Sequence, residues 1–246
     1  MRDAWWRVGG WPIHGWLGGT GPPVVLVHGL GVSGRYLLPT ARALARDFRV
    51  IVVDLPGFGL SVRPSRPLRL PQLSGLLDRF CDDAGLGRVT LLGNSFGCQI
   101  ITHLAAARPQ RVERLVLSGP TVDASARDPV RQGWRLLRDG LREPPRLLRI
   151  IAVDYLRAGP TTVAVTAAEA LRDRIEENAR RVSAPALVVR GARDPLVPQA
   201  WAERLTASFP AGELRVVAGS AHAVHFTDPK AVAALVVSAG SRSARG

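Results

Sequence analysis

Lysine is almost missing from this chain. Lys230 is the only one, although lysines and arginines together number 33 among 246 residues, against 20 acids. Cysteine is nearly as scarce. Cys81 and Cys98 are too few for a disulfide framework or a zinc site. They are expected as free thiols in a reducing, cytoplasmic compartment. No apolar run approaches the roughly 18 residues that a membrane span requires, so membrane insertion is not expected. The segment Met1–Thr20 holds tryptophans but no uninterrupted apolar stretch, so it does not read as a signal peptide. No helix-turn-helix, RNA-recognition or zinc-finger signature occurs, and nucleic acid is not an expected partner. Internal repeats and low-complexity tracts are absent too.

The formal net charge is +13 and is carried by arginine. Such a balance attracts nucleic acid, anionic lipid or acidic substrates. It also arises when a GC-rich coding sequence fills a chain with Ala, Arg, Gly and Pro. The arginines are spread along the chain without one dense run, which favours the compositional reading. Apolar residues at 46% and charged residues at 22% are ordinary for a globular protein. The length suits a single large α/β domain with an insertion, as a monomer or homodimer.

A short apolar run, a Gly-rich turn and a helix-like stretch recur in alternation, which argues for βα units on a parallel sheet. The runs at 24–27, 50–53, 89–92, 115–117, 186–189 and 214–217 are nearly continuous, as strands buried on both faces would be. Helices are predicted at 37–46, 72–84, 96–108, 199–209 and 229–238. The stretch 121–181 breaks the rhythm. It reads as several short helices separated by Gly-Pro and Pro-Pro, inserted as a cap in a core of 1–120 and 182–246. The end, 238–246, is expected to fray.

Gly93-Asn94-Ser95-Phe96-Gly97 fits G-x-S-x-G between an apolar strand and a helix. A sharp strand-to-helix turn of this kind lifts the serine oxygen above the sheet, and its crowding demands glycine on either side. Such a turn also serves as an ordinary helix cap. A nucleophilic serine needs a base, and the base needs an orienter. Asp194, past the strand at 186–189, is the expected acid. His222, past the strand at 214–217, is the expected base. His225 and Asp123 are the alternates. His14, His28 and His103 read as structural. The Gly-rich turn His28-Gly29-Leu30-Gly31 suits a backbone oxyanion donor at Leu30, paired with the Phe96 N–H at the helix start.

Together with Asp54-Leu55-Pro56-Gly57-Phe58-Gly59-Leu60-Ser61 and Asp228-Pro229, these motifs resemble the α/β-hydrolase superfamily, in its lidded serine-esterase-like and carbon–carbon-bond-hydrolase-like branch. The resemblance runs from about residue 20 to 238. It implies an α/β fold with a mostly parallel central sheet, helices on both faces and a helical cap. It also implies Ser95, Asp194 and His222 as catalytic triad, with Leu30 and Phe96 as oxyanion hole. Asp54 to Ser61 reads as a structural turn. One departure is Cys98, where many relatives carry a second glycine; it is expected to be buried and inert. Serine at the elbow argues against haloalkane dehalogenase and epoxide hydrolase chemistry, which use aspartate there.

The implied function is a hydrolase needing no cofactor and no metal, with a small-molecule substrate. It would act on a small or medium ester, thioester or lactone through an acyl-enzyme on Ser95. Alternatives are a carbon–carbon hydrolase of a vinylogous diketone, an acyltransferase or cyclase, and a small-molecule receptor that keeps the triad. In the cap, Arg127, Arg131, Arg135, Arg138 and Arg142 recur every three or four residues. On one helix they would form a basic stripe, either for a substrate anion or as a solvated face. Gly133 and Gly140 argue against one long helix. Trp134 and Tyr155 are candidate substrate contacts, or else pack the cap onto the core.

Overall fold

The computed structural model describes residues 1–243, with side-chain surroundings given through residue 240. Eight strands form one sheet: β1 (Arg2–Val8), β2 (Trp11–Gly18), β3 (Pro23–Val27), β4 (Arg49–Val53), β5 (Val89–Asn94), β6 (Val112–Ser118), β7 (Ala186–Gly191) and β8 (Gly212–Val217). Their order is β1-β2-β4-β3-β5-β6-β7-β8. From β4 onward every pairing is parallel; β1 and β2 are antiparallel.

Strands buried on both faces need apolar residues at every position, because successive side chains point to opposite sides. In β3, Val25 and Val27 enter one core cluster, and Val24 and Leu26 enter the other. The first cluster is covered by α2 (Leu70–Asp83), α3 (Phe96–Ala107) and α8 (Gln199–Ser208). The second lies under α1 (Leu38–Leu44), α9 (Val224–Thr227) and α10 (Pro229–Ser243). Each fully buried Val, Leu or Ile contributes about 1.5–3 kcal/mol relative to exposure. This double lining makes the central sheet a rigid base for the loops at its rim.

Three expectations need correction. The hairpin β1–β2 lies in a stretch where no strand was predicted. Its strands are half exposed and tryptophan-rich, and Gly9 and Gly10, at φ 55° and 89°, turn the chain. The run at 214–217 is not buried on both faces, since β8 is the sheet edge and Val216 is 45% exposed. Residues 238–243, expected to fray, continue α10; 244–246 lie outside the described residues.

Between β6 and β7 the described chain holds no strand. It forms α4 (Pro129–Gly140), α5 (Pro145–Ala158), α6 (Pro160–Arg172) and the short α7 (Ile175–Ala179). A proline opens each of the first three, where its missing N–H costs nothing. Gly133 sits inside α4 without interrupting it, so that glycine is no break. No helix among the described residues is long and apolar enough to cross a membrane.

Candidate active site

Parallel strands place the loops after their C-terminal ends along one rim of the sheet. His28, Ser95, Gly119, Asp194 and His222 all follow such ends, so residues far apart in sequence converge there.

Ser95 has φ 53° and ψ −119°, and it is the one non-glycine residue at positive φ among the described residues. Strain of this kind persists only where the surroundings enforce it. Here the enforcement is steric. A Cβ on Gly97 would stand 2.4 Å from the Val27 carbonyl oxygen, and one on Gly93 would stand 2.6 Å from the Gly97 carbonyl carbon. Asn94 inside the turn donates to the Ser118 carbonyl at 2.9 Å and accepts from the Tyr36 hydroxyl at 2.5 Å. Ser95 Oγ is 3.2 Å from Thr121 Oγ1.

His222 Nδ1 lies 2.8 Å from Asp194 Oδ2. The other oxygen of Asp194 accepts from the Leu196 and Val197 amides at 2.8 and 3.1 Å, which fixes the carboxylate. With Nδ1–H donated to Asp194, Nε2 is the free nitrogen of the ring. Gly119, at φ 59°, leaves room for the imidazole; a Cβ there would meet it at 3.0 Å. Burial lowers the proton affinity of His222, but the charge and hydrogen bond of Asp194, then the carboxyls of Asp139 and Glu143, outweigh it and lift the pKa to about 9.

The Leu30 N–H makes no hydrogen bond among the described residues, and the Phe96 N–H is the first of α3, with no intrahelical partner. The Gly29 N–H is occupied, donating to Tyr36 Oη at 2.8 Å. Ser95, His222, Leu30 and Phe96 all border one cavity of about 610 Å³, roofed by α4, α5 and α6. Its walls are largely apolar, among them Val122, Leu136, Leu147, Ile151 and Leu171. Asp139 and Glu143 also border it, and among the described residues no arginine or lysine does. A second hollow of about 620 Å³ lies around the 64–69 loop and contains none of the candidate residues.

A family model described as the alpha/beta hydrolase family matches residues 24–235. The chain belongs to the alpha/beta hydrolase family. It is 36% identical over 123 residues to the pimeloyl-[acyl-carrier protein] methyl ester esterase of Vibrio campbellii, covering 50% of this chain and 45% of that one. It is 29% identical over 245 residues to the 2-hydroxy-6-oxononadienedioate/2-hydroxy-6-oxononatrienedioate hydrolase of Cupriavidus pinatubonensis, covering 87% and 85%. The enol-lactonase from Burkholderia xenovorans LB400 superposes with a TM-score of 0.80 at 22% identity, over 96% of this chain and 98% of that one, which shows the shared fold. The chain spans only 11% of another relative, polyketide synthase ThaQ of Burkholderia thailandensis.

Within this alpha/beta hydrolase the other candidates part company. Tyr155 lines the cavity, and its ring fills the space where a Cβ on Gly31 would stand, 2.5 Å away. Trp134 is 63% exposed and does not border the cavity, which α4 meets instead with Gln132, Gly133, Leu136 and Leu137. The arginine stripe also faces away from the cavity. Arg127 pairs with Glu176 and Arg135 with Asp123. Asp123 is bound to Ser125, Arg135 and Arg204, with no bond to His222. His225 is fully buried edge-on to Tyr36 with both nitrogens unpartnered, and burial lowers its pKa to about 3. His14 pairs with Asp54 at 2.7 Å, His28 Nε2 accepts from the Leu55 amide, and His103 meets Ser74. Cys98 donates to the Gly93 carbonyl, and burial pushes its thiol pKa well up.

Sequence reasoning missed Asp139 and Glu143. The His222 amide donates to Asp139 at 3.2 Å, and the Ala223 amide donates to Glu143 at 2.8 Å. Burial, above all, raises the pKa of both carboxyls. They are an i, i+4 pair of acids amid arginines, a signal visible in the sequence but eclipsed there by the arginine spacing. Asp154 was missed as well. On α5, it accepts from Ser33 N–H and Oγ–H and from Arg35, tying the helix to the loop that carries Leu30.

Proposed function

We propose that the protein is a serine hydrolase that cleaves an ester, thioester or lactone with an apolar acyl group, without a cofactor. In this reading Ser95 attacks the carbonyl while His222 accepts its proton, and Asp194 holds the ring so that Nε2 faces the serine. The N–H groups of Leu30 and Phe96 receive the developing oxyanion, each worth about 3–4 kcal/mol in the transition state. The imidazolium then protonates the leaving group. Water, deprotonated by His222, releases the acyl chain from Ser95. The helices α4 to α6 act as the cap that shields these steps.

The observation that carries this reading is the enforced φ of Ser95 on the same apolar cavity that His222, paired with Asp194, also borders. The methyl ester esterase relative agrees with an ester bond. The Cupriavidus relative, which covers most of both chains, favours carbon–carbon cleavage as a second reading. Its named substrates are dicarboxylates, however, and among the described residues the cavity is bordered by two carboxyls and, apart from His222 itself, no basic side chain. That lining suits a neutral acyl chain better than a dianion.

Intact-mass labelling with a fluorophosphonate tests the mechanism. One adduct on the wild type and none on Ser95→Ala is expected, together with a drop in ester turnover on the order of a millionfold. An unlabelled wild type, or Ser95→Ala turning over at full rate, would sink it. A panel of p-nitrophenyl esters against a vinylogous diketone then separates the two bond types.

A further inference from the structure

Helices α4 and α5 are built inside out. Their acids, Asp139 and Asp154, and Glu143 in the turn between them, are all buried, at 7%, 2% and 7% exposure. What they show to solvent is apolar or cationic. Val130, Trp134, Leu137 and Leu141 follow helical spacing along one stripe of α4 and its C-cap, each more than half exposed. On α5, Leu156, at 83%, and Val153, at 41%, are exposed apolar side chains as well. Most of the large apolar side chains exposed among the described residues belong to this stretch. Arg131, Arg138, Arg142, Arg146, Arg149 and Arg157 are exposed on the same segment.

Water alone does not select such a surface. An exposed contiguous apolar patch on a folded protein marks a contact site. Two occupants suit apolar stripes: a second copy of the chain, and an amphiphilic surface. Charge decides between them. A two-fold contact through α4 and α5 would bring these arginines toward their own images on a chain already carrying +13. Trp and Leu on one side of a helix with arginines beside them is the pattern of a helix lying in the headgroup region of an anionic bilayer. With Asp139, Glu143 and Asp154 turned inward, only Asp128 at the N-cap of α4 leaves a carboxylate exposed on this segment, so such a surface meets little repulsion.

We infer that the outer face of α4 and α5 docks on an anionic lipid surface. Leu136, Leu137 and Leu148, partly exposed on these helices, also border the cavity. The docked face is therefore continuous with the mouth above Ser95, and an acyl chain can pass from lipid to cavity along apolar side chains. The docking stands on its own observations. Only its use as a feed for Ser95 rests on the hydrolase reading.

The test is co-sedimentation of the full chain with vesicles of phosphatidylcholine plus phosphatidylglycerol and with vesicles of phosphatidylcholine alone. Binding to the anionic vesicles, weakened by salt, is expected. Binding should shift tryptophan emission to the blue, and Trp134→Phe should abolish the shift. Arg138→Gln and Arg146→Gln should each weaken partition about fivefold. Leu141→Gln and Leu156→Gln should weaken it too, while Val216→Gln, an exposed apolar change on the β8 edge of the sheet, should leave it unchanged. Circular dichroism checks that each variant is folded. Equal or absent binding to the two vesicle types would overturn the inference, as would partition indifferent to these substitutions. A concentration-dependent dimer dissolved by Leu141→Gln would also overturn it, assigning the face to a second copy. Because all of this is measured without turnover, failure of docking and failure of the Ser95 mechanism are separable.

Discussion

In β3, Val24, Val25, Leu26 and Val27 are fully buried, alternately in two cores, and the strand reads as plain apolar sequence. In α4 the buried residues are Gln132 and Asp139, while Val130, Trp134 and Leu137 stand in solvent. The sheet is held by burial of surface that has no alternative use. The helices above the cavity bury fewer apolar side chains, such as Leu147 and Ala170, and add directed bonds: Asp139 and Glu143 to the His222 loop, and Asp154 to the Leu30 loop. Rigidity below and specific tethering above are different solutions to holding one site. The first tolerates no added volume, and the second is sensitive to charge.

The contrast breaks first at the loops on the sheet. Asp194→Asn should lower kcat roughly ten-thousandfold with the fold intact, because the imidazole loses its orienting acceptor. Ester kinetics alongside a melting curve would check it, and a variant with near-normal kcat would place the acid elsewhere.

Gly97→Ala comes next. With its Cβ forced to 2.4 Å from the Val27 carbonyl, the variant should lose about 3 kcal/mol or more, or fail to fold, by urea denaturation. An unchanged midpoint would mean that the elbow is looser than its contacts imply.

The cap tethers answer to pH. In the proposed mechanism His222 must be neutral to act as base, so turnover should rise with pH toward the His222 pKa of about 9. Behind Asp194, the carboxyls of Asp139 and Glu143 add to the hold on that proton. Asp139→Asn with Glu143→Gln should therefore move the acidic limb of the kcat/KM profile to lower pH. A limb that stays in place while activity falls would assign the two carboxyls a purely structural part.

The smallest effect has the opposite sign. Nothing lies within 4 Å of a Cβ built on Gly133, so Gly133→Ala in α4 should stabilise the protein by about 0.5–1 kcal/mol in the same denaturation assay. Glycine to alanine thus separates the packed sheet from the tethered roof.

The same division explains what the sequence disclosed. The parallel strands and their helices were legible because two-sided burial leaves uninterrupted apolar runs. Ser95 and Asp194 stood out because each follows such a run, and His222 because it follows the half-exposed run of β8 in the chain order of the motif. The β1–β2 hairpin escaped because its tryptophans and charges serve a half-exposed edge, where alternation is weak. Asp139 and Glu143 escaped because their partners lie 83 and 80 residues away, and no local pattern records a contact of that reach. The arginine spacing in the cap was visible, but its direction was not, since helical periodicity identifies a face without saying what that face meets.

Gly31, at φ 75°, is pressed by the ring of Tyr155 from above, while Ser33 and Arg35 on the same loop grip Asp154 one residue earlier on α5. Roof and the backbone proposed to receive the oxyanion are thereby geared together. An acyl chain long enough to lift α5 would drag Leu30 from its place, so the enzyme would measure chain length through the speed of the chemical step more than through the tightness of binding.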